Sequence, residues 1–272
     1  MANSATTNSP ASQTPPLFYG KPDVLRFPEH RTLGIRRDGH FGFAAEAVAI
    51  PLTVAEFAAA GRVMPIVFAQ AEGALPLAVS GLSAGRNLLI DKAGAWRPGL
   101  YIPAYLRRYP FIAVQAGDGP QMLGIDTTSS LIVPEADGET TDRLFDEAGA
   151  PTPRAQAAMA LSEAYAAEHE ATRSFSAALL EHRLLVPRSA ELRLATSAIT
   201  ATGEVPPVSS TLTGFQLVDE AAFRALPADV VADFHARGWL GAIVLHLASQ
   251  LSWQTLLDAQ GQEQPPADAT AH

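Results

Sequence analysis

The chain has 272 residues, 47% of them hydrophobic and 17% charged, with a formal net charge of −9 and no cysteine. Those proportions belong to a chain that can bury a core rather than to a disordered one. Lacking cysteine, it has no disulfides, thiolate metal sites, iron–sulfur clusters or cysteine nucleophiles. The acidic balance argues against nucleic acid, where affinity comes from neutralising phosphates, and against anionic membrane surfaces; the only adjacent Lys/Arg pairs are Arg36-Arg37 and Arg107-Arg108.

Residues 1–16 are polar and proline-tipped, which reads as a disordered tail and not as a secretory signal. Thr53-Val54-Ala55-Glu56 has capping-box spacing and predicts a short helix from about Val54 to Gly61. Apolar runs predict strands over Pro65–Ala69, Leu75–Leu82 and Leu88–Asp91, with turns at Ser83–Asn87 and Lys92–Gly94. Pro103 can open a second helix reaching Tyr109. Phe111–Gln115 and Gln121–Ile125 read as a hairpin around Asp118-Gly119, and the acidic stretch Glu135–Glu147 as a solvated loop.

Thr152-Pro153 opens a long helix to about Leu185, ended by Pro187, with Ala158, Leu161, Tyr165, Glu168, Thr172, Phe175, Leu179 and His182 on one face. Glu191–Thr196 and Thr211–Val218 read as a second hairpin across Thr202-Gly203. Helices follow at Glu220–Ala225, Pro227–Arg237 and Trp239–Ala259, with Gly238 as a stop and residues 259–272 as a second tail. Strands cluster early and helices late without βαβ alternation, so the fold class is α+β, expected as one domain over residues 17–258. The longest apolar run, Trp239 to Leu251, is too short for a span of roughly 20 residues, so no membrane insertion is expected.

Motifs for chemistry are sparse. Gly81-Leu82-Ser83-Ala84-Gly85 matches the nucleophile elbow, but that elbow needs a helix behind the serine, and a strand pattern follows here. A hairpin turn is the expectation. No His-Glu-x-x-His, no histidine pair four apart and no His-x-carboxylate step occurs, and the acidic stretch fails the EF-hand pattern, so no metal and no cofactor is expected. His246, between Leu245 and Leu247, reads as a buried histidine bonded to backbone or as a proton-transfer group.

The segment Tyr101-Ile102-Pro103-Ala104-Tyr105-Leu106-Arg107-Arg108-Tyr109-Pro110 is the most unusual. Tyr105, Arg108 and Tyr109 share one helix face, and arginine among aromatics can clamp an anion or anchor a partner. The competing reading packs the tyrosines at a sheet edge and pairs Arg108 with a carboxylate of the acidic loop. Tyr101, Tyr105, Arg107, Arg108, Tyr109 and His246 are the candidate binding residues.

The ordered strings PLTVAEF (51–57), PIVFA (65–69), LPLAVSGLSAGRNLLID (75–91), YIPAYLRRYPF (101–111), RLFDEAG (143–149), LTGFQLVDE (212–220) and LHLASQL (245–251) resemble the bacterial SapC family over about residues 17–258. The resemblance is to the soluble SapC-like proteins and not to the peptide-permease subunit of the same name. It implies an accessory protein linked to a bacterial surface layer or to outer-membrane uptake, and it implies no catalytic residues. The expected function is therefore non-enzymatic binding of a protein or peptide partner, in the cytoplasm or associated with the surface. Alanine at Tyr105 and Arg108 is expected to weaken capture and to spare the fold. The alternative is an enzyme whose site joins His246 to Arg107 or Arg108 and a carboxylate.

Overall fold

A computed structural model of the chain describes residues 16–115, 119, 121–194, 199–200, 203–204 and 208–263. Four short elements precede the capping box: β1 (Pro22–Val24), α1 (Phe27–His30), β2 (Gly34–Arg36) and β3 (Ala49–Pro51). Strands of three residues are too short to show alternation, so the sequence assigned nothing there. The capping box forms as read, opening a 3-10 turn over Val54–Glu56 that continues into α2 (Phe57–Ala60).

Strands β4 (Ile66–Ala69) and β5 (Pro76–Val79) come next. The expected strand over Leu88–Asp91 is reduced to one bridge, Ile90 to Trp96, because Asp91 Oδ1 accepts from the amides of Ala93 and Ala95 and turns the chain. Helix α3 (Ala104–Arg108) follows Pro103, and β6 (Phe111–Gln115) pairs with β7 (Gln121–Asp126) as the expected hairpin. Asp118, at its turn, lies outside the described residues.

The acidic stretch is not all loop. β8 (Ile132–Val133) and β9 (Thr141–Arg143) flank β2 on either side, and Asp142 Oδ1 accepts from Arg37 Nε at 2.7 Å. Helix α4 (Pro153–Glu181) starts on the Thr152 cap, as read. It stops before the expected Leu185: Arg183 takes a left-handed φ of +51° and the amide of Leu184 reaches back to the Leu179 carbonyl, a helix-ending pattern that needs no proline. Pro187 lies instead in β10 (Leu185–Leu194), which pairs with β13 (Val208–Val218); β11 (Ile199–Thr200) and β12 (Gly203–Glu204) pair with each other. The chain closes with α5 (Glu220–Arg224), α6 (Ala228–Ala236), α7 (Trp239–Ser249) and α8 (Trp253–Glu263). α8 thus runs past residue 259, where a tail was expected; residues 1–15 and 264–272 lie outside the described residues.

The architecture is α+β, and every strand pairing described is antiparallel. The largest sheet has the order β10-β13-β4-β5-β3; smaller sheets have the orders β1-β7-β6 and β8-β2-β9. α4, about 44 Å long at 1.5 Å per residue, serves two apolar clusters. Ala155 and Ala158 near its start pack with Ile35, Phe111 and Ile125, while Tyr165, Phe175 and Leu179 join the larger cluster with Phe57 and Phe68. Its seam departs from the sequence reading at one step: Glu168 is exposed, and His169 stacks on the ring of Tyr165.

Candidate functional site

Glu56 fixes the entry to the aromatic segment. Its carboxylate is 6% exposed and accepts four hydrogen bonds. Oε2 takes those of the Thr53 amide and hydroxyl (2.8 and 2.9 Å), and Oε1 takes those of the Ala104 amide and the Tyr101 hydroxyl (2.7 and 2.9 Å). One carboxylate therefore caps its own helix and also supplies the acceptor that Pro103, at the N-cap of α3, lacks. Burial, followed by the charge of Glu56, pushes the Tyr101 hydroxyl up to about 12, so it stays a neutral donor.

α3 divides the segment between inside and outside. Tyr105, Arg108 and Tyr109 are buried and Arg107 is exposed. Arg108, 7% exposed, does not meet the acidic loop; Arg37 takes Asp142 instead. The Arg108 guanidinium lies 4.2 Å from the ring centroid of Tyr165, 4.7 Å from that of Tyr105 and 5.6 Å from that of Tyr19. Its Nε is buried without a hydrogen-bond partner among the described residues. Aromatic faces replace a counter-ion here, which a planar and weakly hydrated guanidinium tolerates better than an ammonium would. Burial raises the hydroxyls of Tyr19, Tyr105 and Tyr165 while the Arg108 charge opposes the rise, so the cage stays neutral. The hydroxyls of Tyr19 and Tyr105 donate to the carbonyls of Phe111 and Leu17, which ties the start of the described chain to α3 and β6.

Tyr109 turns toward β7, where its hydroxyl donates to Asp126 Oδ2 at 3.3 Å. Burial pushes the Asp126 carboxyl up, but hydrogen bonds from the Thr128 hydroxyl and the amides of Gly20, Lys21 and Thr128 outweigh it and hold the group below the usual range. Arg107, in contrast, is held at the surface. Its Nε donates to the Ile102 carbonyl at 3.0 Å, one terminal nitrogen donates to the Tyr101 hydroxyl at 3.3 Å, and the guanidinium lies 5.8 Å from that ring's centroid.

Arg107 and Tyr109 border a cleft of about 190 Å³. Its floor is apolar, from Ile35, Leu106, Leu131 and Tyr109, with Phe41 and Phe43 beside them. Its polar side chains are Arg36, His40, Arg107 and Arg154, and among the described residues no carboxylate lines it.

A model of the SapC family matches residues 25–256. The chain belongs to the SapC family. No curated protein and no solved structure shows a match to it.

The other sequence candidates of this SapC-family protein separate in space. His246 is fully buried on α7; its Nε2 accepts from the Val218 amide at 3.1 Å and its ring lies 4.9 Å from that of Phe68. Nδ1 has no hydrogen-bond partner among the described residues. Burial pushes the imidazole down to about 4. The register explains the position. β13 and β4 pair at Phe215–Ala69 and Gln216–Phe68, and the ladder ends there, short of Leu217–Val67 and Val218–Ile66. α7 enters the gap: His246 takes the Val218 amide, Ser249 Oγ accepts from the Ile66 amide at 3.0 Å, and Gln250 donates to the Ile66 carbonyl at 2.8 Å. This is the backbone-bonded alternative of the sequence reading.

His246 does not converge with Arg107 or Arg108. Arg108 sits on Tyr165, whereas Phe68, the neighbour of His246, packs on Phe175; those two helix positions are about 15 Å apart along α4. Ser83 bridges back to Arg86 around a left-handed Gly85, and a Cβ at Gly81 would fall 2.0 Å from the Arg86 carbonyl, so both glycines serve a tight turn with no helix behind the serine. One cluster of ligand-type groups lay outside the sequence reading: Asp23, Glu29 and His30 bring one ligand atom each within 4.8 Å of the others. Arg26 NH1 already lies 3.7 and 3.5 Å from the two carboxylates, and its amide donates to His30 Nδ1, so the group reads as an ion-paired helix start. Among the described residues, no helix is long and apolar enough to cross a membrane.

The polar and aromatic residues of the cleft that the sequence reading missed are Arg36, His40, Phe41, Phe43 and Arg154. They are distant from α3 in the chain and carry no motif, so no spacing signal could have found them.

Proposed function

We propose that this SapC-family protein is a non-enzymatic accessory protein that holds a protein or peptide partner, in the cytoplasm or at a bacterial surface layer or outer-membrane uptake system. The contact runs through the outward face of the 101–109 segment and the cleft beside it. The observation that carries this reading is Arg107: an exposed cation, braced by Ile102 and Tyr101, standing over an aromatic floor. Preorganised arginine beside aromatic surface is the composition found where interfaces concentrate their binding energy. Tyr105 and Arg108 support that face from behind, so they position the contact and do not make it.

The test is capture of partners from the native host with tagged wild-type protein and with Arg107→Glu, identified by mass spectrometry. The reading expects one reproducible partner whose recovery falls at least tenfold with Arg107→Glu while the melting temperature is unchanged. Equal recovery by the folded variant would remove this face as the contact.

A further inference from the structure

The cleft beneath Arg107 has a chemistry of its own, and this inference rests on the partner-binding reading above. Three arginines and a histidine line an apolar and aromatic floor, with no acidic side chain among the described lining residues of a protein whose net charge is −9. Local charge of that sign in an acidic chain is a selective feature, because the rest of the surface repels the same ligands.

The cations are only partly spent on the protein. Arg36 Nε donates to Asp38 at 2.9 Å. Arg107 uses a backbone carbonyl and a neutral phenol and meets no carboxylate in an ion pair among the described residues. The Arg154 side chain makes no hydrogen bond and no ion pair among the described residues. His40 is placed by two glycines: a Cβ at Gly42 would fall 2.1 Å from its Cε1, and one at Gly94 would fall 2.3 Å from its Nε2. Its Nδ1 accepts from the Gly42 amide at 3.1 Å, which leaves the proton of the neutral ring on Nε2.

We infer that this cleft binds an apolar side chain bearing a carboxylate: the C-terminal residue of a partner chain. The volume of about 190 Å³ admits one large side chain and not a folded segment. The floor supplies apolar burial, and Arg107 and Arg154 supply forked donors that match a carboxylate. A bare inorganic anion would use the rim and leave the floor empty.

The experiment measures fluorescence anisotropy of a labelled hexapeptide ending in phenylalanine, as the free acid and as the C-terminal amide, with the full chain at low salt. The free acid is expected to bind at least tenfold more tightly than the amide. Arg154→Ala and Arg107→Ala are each expected to weaken the free acid about tenfold and to leave the amide unchanged. Equal binding of acid and amide, or no binding of either to folded protein, overturns the inference. 3-Phenylpropionate competing as well as the peptide overturns the chain-end assignment. If Arg107→Glu abolishes capture of the host partner while acid and amide bind alike, the contact face stands and the carboxylate inference fails. If acid is preferred but Arg107→Glu leaves capture intact, the cleft stands and the partner-binding face fails.

Discussion

The Arg108 guanidinium lies 4.2 Å from the ring centroid of Tyr165, and His169 lies nearly parallel to the same ring, at 5.9 Å and 15°. A cation buried without a carboxylate is costly unless its surroundings replace hydration. Three tyrosine faces do so here, and they come from the start of the described chain, from α3 and from α4. Arg108→Ala is expected to cost about 3 kcal/mol, from lost desolvated cation–π contact and lost packing. Arg108→Lys should recover only part of that, because an ammonium is more strongly hydrated and has no planar face. Urea denaturation midpoints decide it; an alanine variant as stable as wild type would show that the cage contributes nothing. The same result bears on the sequence expectation that Tyr105 and Arg108 could be exchanged together without harm to the fold, which their burial contradicts.

Glu56 gives a second prediction. Its two oxygens serve four donors, so Glu56→Gln turns one acceptor into an amide NH2 facing donors. The expected loss is about 2 kcal/mol, the scale of a buried donor left unpaired. Glu56→Asp is expected to lose a similar amount, since the shorter side chain cannot reach Thr53 and Ala104 together. Thermal melts of both variants check this, and a melt unchanged in Glu56→Gln would show that the carboxylate bridge is dispensable.

What the sequence displayed and what it concealed divide at this residue. The Thr53–Glu56 box is local, three residues apart, and could be read directly. The bond from Glu56 to Ala104 crosses 48 positions and has no signature in spacing. α4 was legible for the same local reason, through its Thr-Pro start and its three-and-four periodicity; the seam erred only where His169 replaced Glu168, neighbours that the periodicity allows equally. Arg108 carries two readings in the sequence, a clamp for a partner and a pair for the acidic loop; arginine is seldom buried, and two of the rings that reverse the rule lie at the distant positions 19 and 165. His246 kept two readings until the unpaired register between β13 and β4 showed which backbone amide it serves.

Gly42 offers a change that touches the cleft without touching its arginines. It does not take a left-handed φ, so Gly42→Ala strains no backbone; its methyl meets the His40 ring instead. The ring is expected to swing out and give up its bond from the Gly42 amide. Stability should change by less than about 1 kcal/mol, as is usual for exposed positions. Histidine side-chain NMR shifts report the displacement directly. An unmoved His40 resonance in Gly42→Ala would mean that the ring is not held by that glycine.

His246 ties stability to pH below the ordinary imidazole range, a window it shares with His169, whose ring is also pushed down by burial. Its folded value of about 4 lies below the ordinary imidazole value of about 6.5, so the unfolded chain binds the proton more readily. Its contribution is then fully present above about 6.5 and is lost as pH falls toward 4. The size is about 3 kcal/mol, from roughly 2.5 units at 1.36 kcal/mol each. Asp126 is shifted in the opposite range: its lowered carboxyl holds its contribution above about 3.9 and releases it below, so the two windows barely overlap. His246→Gln retains an acceptor for the Val218 amide and removes the titration. Denaturant midpoints measured between pH 7.5 and 4.5 should fall for wild type and fall less steeply for His246→Gln, whose remaining slope belongs to His169. Parallel slopes in the two proteins would place the proton uptake elsewhere and leave His246 as a wedge whose ionisation has no part in the fold's response to acid.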